Sequence, residues 1–226
     1  MLCSEWSLVK RESTHTTVVP LRCHCWTCPE CHPIRTQRLI AEAKAGNPNI
    51  FITLTSRNPG YGYPHEAAQK LARAWRIIRA EFLREHGKHS LPFICVFEKT
   101  EDDWPHLHII GRCKWIEQKW LSKRMDDLTG SPVADVRRAW GTSKVAYYIT
   151  KYVAKDPHRF EGTKRYWRSQ DYLTPGPDED TAPRRRTGLW EVERCDWRVL
   201  AEVLALGVLW VRWGDNEARV MNWRPP

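Results

Sequence analysis

The chain has no apolar run long enough to cross a bilayer. Its longest, Val203 to Val211, is about half of the roughly 20 residues that a spanning helix needs. The opening stretch MLCSEWSLVKRESTH has no apolar core of the kind a secretory leader uses. There is no G-x-x-x-x-G-K-[ST], so the P-loop that cradles nucleotide phosphates is excluded. No repeat of domain length is present. These absences set aside a membrane span and a P-loop motor, and they lead to the expectation of a soluble, cytoplasmic protein.

What is present is ordinary in bulk and unusual in detail. Hydrophobic residues make up 42% and charged residues 28% of 226, enough for one good-sized domain with an appendage. The formal net charge of +9 suits a polyanionic partner. Thirteen tryptophans serve as core or as stacking platforms for bases. Eight cysteines are present, and four crowd into RCHCWTCPECHPIR as Cys23, Cys25, Cys28 and Cys31. In a cytoplasmic chain such a cluster points to metal rather than disulfides. A Cys-x-x-Cys turn, here Cys28-Pro29-Glu30-Cys31, aims two thiolates at one point and suits tetrahedral zinc. All four ligands can come from the cluster; alternatively His24, His32, Cys3 or Cys195 completes the shell. The role expected for this zinc is structural.

Along the chain, 34–46 reads as a short basic helix ended by Gly46, and NIFITLTS as a strand of alternating faces. Residues 65–86 and 114–130 carry apolar side chains at helical spacing. LPFICVFEK (91–99) and PHLHIIGR (105–112) are two apolar strands across a short loop, hence an antiparallel hairpin. SPVADVRRAW is a fourth strand. The order strand, helix, strand, strand, helix, strand is the split βαβ plan. The fold expected is α+β, a ferredoxin-like antiparallel sheet with helices on one face and the other free for a ligand. The domains expected are 1–46 with the cysteine cluster, 47–160 as the core, 161–188 as a polar linker and 189–226 as a Trp-rich, partly helical C-terminal segment.

Two motifs carry chemistry. On a strand, residues two apart point the same way, so His106 and His108 project together while Leu107 goes to the other face. Two imidazoles make half a shell for a divalent metal. A carboxylate on the neighbouring strand supplies a third ligand: Glu98 is the best placed, with Asp102 and Asp103 as second choices. A His-x-His pair alone is cheap in a chain with nine histidines; its weight comes from VAYYITKYVAK (145–155), read as a helix. Tyr148 and Tyr152 lie four apart and share a face, with Lys151 and Lys155 each three residues further on. A phenol is a poor nucleophile near its free pKa of about 10. It can attack a phosphodiester when a metal draws charge from the phosphate and cations favour the phenolate. Arg57, Arg137, Arg138 and the run Arg184–Arg186 are expected phosphate contacts.

Together ITLTS, PHLHII and YITKYVAK resemble the three motifs of the HUH endonucleases, over about 49–155, and the paired tyrosines resemble the rolling-circle replication initiators of small single-stranded DNA bacteriophages and related plasmids. The resemblance implies Mg²⁺ or Mn²⁺ dependence and nicking of a replication origin to leave a 5′-phosphotyrosine and a free 3′-hydroxyl. It implies His106 and His108 as ligands, Tyr148 and Tyr152 as nucleophiles, and Lys151 and Lys155 as supporting cations. It also implies single-stranded or hairpin origin DNA as partner in a bacterial host's cytoplasm. With no P-loop, unwinding falls to a host helicase, and a host polymerase extends the 3′ end. Two alternatives stand: a transposase or relaxase of the same chemistry, although relaxases usually invert the motif order and single-tyrosine transposases lack the pair; and a zinc-containing nucleic-acid-binding module without catalysis.

Overall fold

The computed structural model describes residues 3–56, 62–139, 157–173, 188–206 and 210–221. The expected tyrosine helix, Arg57 and Arg184–Arg186 lie outside them. The chain divides into two units, one formed by residues 1–36 with 178–226 and the other by residues 37–177.

The second unit holds the elements expected of the core. Strands β3 (Ile50–Thr55), β4 (Phe93–Lys99), β5 (Pro105–Gly111), β6 (Ala134–Arg138) and β7 (Tyr166–Arg168) form one antiparallel sheet in the order β6-β3-β5-β4-β7. Helices α2 (Pro64–His86) and α3 (Gln118–Thr129) connect β3 to β4 and β5 to β6. The helix before β3, α1 (Cys31–Ala45), starts three residues earlier than its apolar spacing suggests.

Both helices start and stop for identifiable reasons. α2 opens on Pro64, whose missing N–H is no loss in a first turn. α3 closes on Gly130, which takes a left-handed φ of 72° and donates its N–H to the Asp126 carbonyl at 2.7 Å. Gly46 is not a residue of this kind: the left-handed position is Asn47, with φ 44°. Gly46 is needed for space, because a Cβ there would run into the ring of Tyr172.

Alternation decides what each strand buries. Ile50, Ile52 and Leu54 of β3, Cys95 and Phe97 of β4, Leu107 and Ile109 of β5, and Ala134 and Val136 of β6 share a core cluster with Leu71, Trp75, Ile78 and Phe82 of α2 and Leu121 and Met125 of α3. The helices therefore cover one face. The opposite face is not the open surface expected from the pattern, since Phe51, Ile94, Val96 and Ile110 are buried too. What stays accessible on that face is the end bearing Glu98 and His106, both half-buried.

The first unit contains a second antiparallel sheet, in the order β8-β1-β2-β10-β9, where β1 is Ser7–Arg11, β2 His15–Pro20, β8 Glu191–Glu193, β9 Trp210–Trp213 and β10 Ala218–Met221. The sequence reading set the two ends of the chain apart as separate segments; the sheet joins them, with β1 paired to β8 and β2 to β10. Helix α4 (Trp197–Ala205) is capped by Asp196, whose carboxylate accepts from the N–H groups of Arg198 and Val199. Its buried side chains Trp197 and Ala201 cluster with Val18, Ala218 and Val220. Within the stretch read as a linker, β7 forms an edge strand against β4.

Leu107 stands between the two histidines and is fully buried among the helices. Leu107→Ala is expected to cost about 2–5 kcal/mol of stability, read as a shift in the urea midpoint with an unchanged slope. A cost below about 1 kcal/mol would mean that this strand's core face is wrongly assigned.

Candidate metal centre

Strand β5 is paired on both sides, and the register places every neighbour of the histidines. His106 lies opposite Thr55 of β3 and Glu98 of β4; His108 lies opposite Thr53 and Val96. Opposed residues in an antiparallel pair share a face, so Glu98, Thr53 and Thr55 join the imidazoles on the side away from α2 and α3. Glu98 was the acid expected from the hairpin, and a ligand atom from each of Glu98, His106 and His108 lies within 4.8 Å of the others. Asp102 and Asp103 are not in this group. Asp103 is exposed at a left-handed φ of 65° and pairs with Lys99 at 2.7 Å.

His108 is held from three sides. Its Nε2 meets a Glu98 carboxylate oxygen at 2.6 Å, and its Nδ1 meets the Thr53 hydroxyl at 3.1 Å. Its ring stacks on Phe51, with centroids 5.6 Å apart and 17° between planes. The His106 ring stands nearly perpendicular to it, 5.9 Å away. A hydroxyl can donate or accept, so Thr53 serves His108 in either tautomer. With Nε2 given to a cation, Nδ1–H would donate to Thr53, the kind of outer contact that fixes a metal-binding imidazole. Two imidazole nitrogens and a carboxylate, with room at the Glu98–His106 end, suit a divalent cation that keeps open positions.

Burial lowers the His106 pKa below its ordinary 6.5; the nearby His108 lowers it further, and Glu98 opposes both. The ring is therefore neutral, with a lone pair to offer, at neutral pH. The unfolded chain takes up this proton at a higher pH than the fold does. The contribution to stability is thus complete above the unfolded pKa and is lost as pH falls through it toward the folded value.

The arginines separate by strand parity. Arg137 pairs in register with Phe51, on the histidine face, and its guanidinium meets Asp135 at 2.6 Å. Arg138 faces the other way: it donates to the Lys114 carbonyl at 2.7 Å and lies over the Trp115 ring. As a phosphate contact at the histidine group, Arg137 has the better position and Arg138 the worse.

In the first unit the cysteines regroup. Cys3, Cys23, Cys28 and Cys31 bring their sulfurs within 4.8 Å of one another, and Cys25 is outside the group. The Cys25 amide, by donating to the Cys23 sulfur, draws the Cys23 thiol down to about 6. His32 is turned to the Trp26 carbonyl at 2.9 Å, and the Cys195 carbonyl accepts from the Ser7 hydroxyl. Cys3 was considered only as a distant alternative, because nothing in sequence spacing brings it across from the far side of a hairpin. Thr53 and Phe51 were missed as supports of His108. Their alternation within ITLTS is visible, but their partner appears only once the register is known.

Residues 49–157 match a family model described as a replication-associated protein of the ORF2 kind. The matched segment is just under half of the chain. It starts one residue before β3, includes Glu98, His106 and His108, and runs past the two tyrosines. Searches of curated proteins and of solved structures gave no significant match.

The pH behaviour can be checked in metal-free protein by following the His106 ring resonances. The midpoint is expected below 6.5; a midpoint above it would show that Glu98, and not burial, dominates this ring.

Proposed function

We propose that the chain is a site-specific single-stranded DNA endonuclease and ligase of the HUH type that initiates rolling-circle replication. The observation that carries this reading is the convergence of Glu98, His106 and His108 on one sheet face, inside the segment similar to replication-associated proteins. The strand order β6-β3-β5-β4, with both connecting helices on one face, supports a ferredoxin-like core with β7 added at its edge.

On this reading Glu98, His106 and His108 hold Mg²⁺ or Mn²⁺, which when bound neutralises charge on the scissile phosphate. Thr53 and Phe51 keep His108 in place. Tyr148 or Tyr152 attacks phosphorus through its phenolic oxygen. The new bond is Tyr O–P, the broken bond is P–O3′, and the phenol's proton ends on the departing 3′ oxygen through solvent. The 5′-phosphotyrosine conserves the phosphodiester's energy, so a 3′-hydroxyl attacking in reverse rejoins the strand. The second tyrosine permits a second cleavage before the first product leaves. Lys151 and Lys155 offset phosphate charge, and Arg57 and Arg137 add backbone contacts.

The partners proposed are a single-stranded or hairpin origin, a host helicase and a host polymerase, in the cytoplasm of a bacterial host. Among the described residues no helix is long and apolar enough to cross a membrane.

A denaturing gel tests the chemistry. Protein incubated with labelled origin oligonucleotide and Mn²⁺ is expected to give a covalent adduct, lost in Tyr148→Phe/Tyr152→Phe. His106→Ala is expected to lower cleavage by at least about a hundredfold, the scale of removing a group that acts in the transition state, with little change in binding. Tight binding of the correct origin without any adduct would favour the non-catalytic module instead.

A further inference from the structure

We infer that Cys3, Cys23, Cys28 and Cys31 bind one zinc ion as a structural site, with Cys3 rather than Cys25 as its fourth ligand. This inference is independent of the nicking chemistry.

The sulfur geometry points to it first. The Cys3 and Cys31 sulfurs are 3.5 Å apart, those of Cys23 and Cys31 are 3.9 Å apart, and no pair in the group exceeds 4.8 Å. A tetrahedral ion with Zn–S bonds of about 2.3 Å sets its sulfurs about 3.8 Å apart. The two shorter separations bracket that value, so small movements complete the shell.

The surrounding backbone is arranged to hold charge on sulfur. The Cys23 amide donates to the Cys3 sulfur at 3.0 Å, and the Cys25 amide donates to the Cys23 sulfur at 3.4 Å. The Cys28–Cys31 turn closes as the His32 N–H donates to the Cys28 carbonyl at 2.8 Å, and Cys31 is the first residue of α1. Cys25 thus contributes an amide to the site while its own sulfur meets the Cys23 carbonyl at 3.6 Å and stays exposed. Four thiolates without a cation would repel one another. A soft, four-coordinate divalent ion answers that, and ions that prefer oxygen do not. Binding exchanges the thiol protons, released to solvent, for Zn–S bonds.

The consequence is mechanical. Cys3 sits in the 3₁₀ turn that leads into β1, and the other three ligands lie beyond β2. The ion ties the start of the β1–β2 hairpin to its end, so its binding energy becomes folding energy for the first unit.

The test uses the full chain. Elemental analysis is expected to give about one zinc per chain, and Co²⁺ exchange to give sulfur-to-cobalt charge transfer with the d–d bands of a four-thiolate tetrahedron. Cys25→Ser is expected to keep both the metal and the spectrum. Cys3→Ser is expected to lose metal to a chelator at about tenfold lower concentration or less and to shift the d–d bands to higher energy. Should Cys3→Ser fail to fold, Cys3→His decides the point: it keeps a donor and is expected to bind cobalt with a mixed sulfur–nitrogen spectrum. The inference is overturned by folded wild-type protein that takes up neither zinc nor cobalt, by iron in place of zinc, or by a Cys3–Cys31 disulfide in protein kept reduced. It is equally overturned if Cys25→Ser changes the cobalt spectrum and the Cys3 variants leave it unchanged.

Discussion

The pleat of one central strand governs the arrangement of the second unit. In β5 the side chains alternate, so Leu107 and Ile109 go to the helices while His106 and His108 go to the other face. A slip of one residue would exchange the two sets. It would drive two imidazoles into an apolar core and expose a leucine and an isoleucine, each worth about 1.5–3 kcal/mol when buried. The energy that fixes the histidines thus comes from residues that never touch a ligand. Pairing on both edges then carries the register outward, so that Glu98 and Thr53 arrive beside the imidazoles as a consequence of β4 and β3 finding their own apolar faces.

The polar group made in this way is closely coupled. His108 is almost wholly buried, and a buried imidazole needs partners for both nitrogens. Glu98 and Thr53 supply them, and stacking on Phe51 removes the remaining freedom of the ring. His106 has more solvent and a lowered pKa. The pair is therefore asymmetric, one ring fixed and enclosed, the other half-open. This suits a centre whose inner wall is rigid and whose outer side must admit a large polyanion. Burial of Phe51, Ile94, Val96 and Ile110 confines that access to one end of the sheet.

How much of this could be read from sequence depended on the range of the interaction involved. The helices α2 and α3 and strands β3 to β6 announce themselves through local periodicity, and the hairpin alone was enough to nominate Glu98. Strands β1 and β2 were passed over, although SLVKR alternates and HTTVVP is β-branched, because each is short and each pairs with a strand from the chain's far end. β7 has only three residues and borrows its order from β4. Thr53 needed the register, and Cys3 needed the path of a whole hairpin. Gly46 was assigned to a helix end for its conformational freedom, whereas its cause is the ring of Tyr172, far along the chain. Local signals found the elements; partners set by tertiary approach had no local signal.

The two metal-ligating groups also differ in a way that bears on how one chain could keep two ions distinct. Four thiolates have little affinity for Mg²⁺ or Mn²⁺, so the cysteine group selects by softness. Two imidazoles and a carboxylate have no such protection: intrinsic affinity for such a set runs higher for Zn²⁺ than for Mn²⁺. The histidine group can therefore discriminate only through coordination geometry and through what its environment supplies. A cysteine group that captures zinc during folding does nothing to exclude zinc from the histidines. Occupancy there is left to the free concentrations of the competing ions, with the Glu98 carboxylate, a hard donor, as the one ligand that narrows the gap in favour of Mg²⁺ and Mn²⁺.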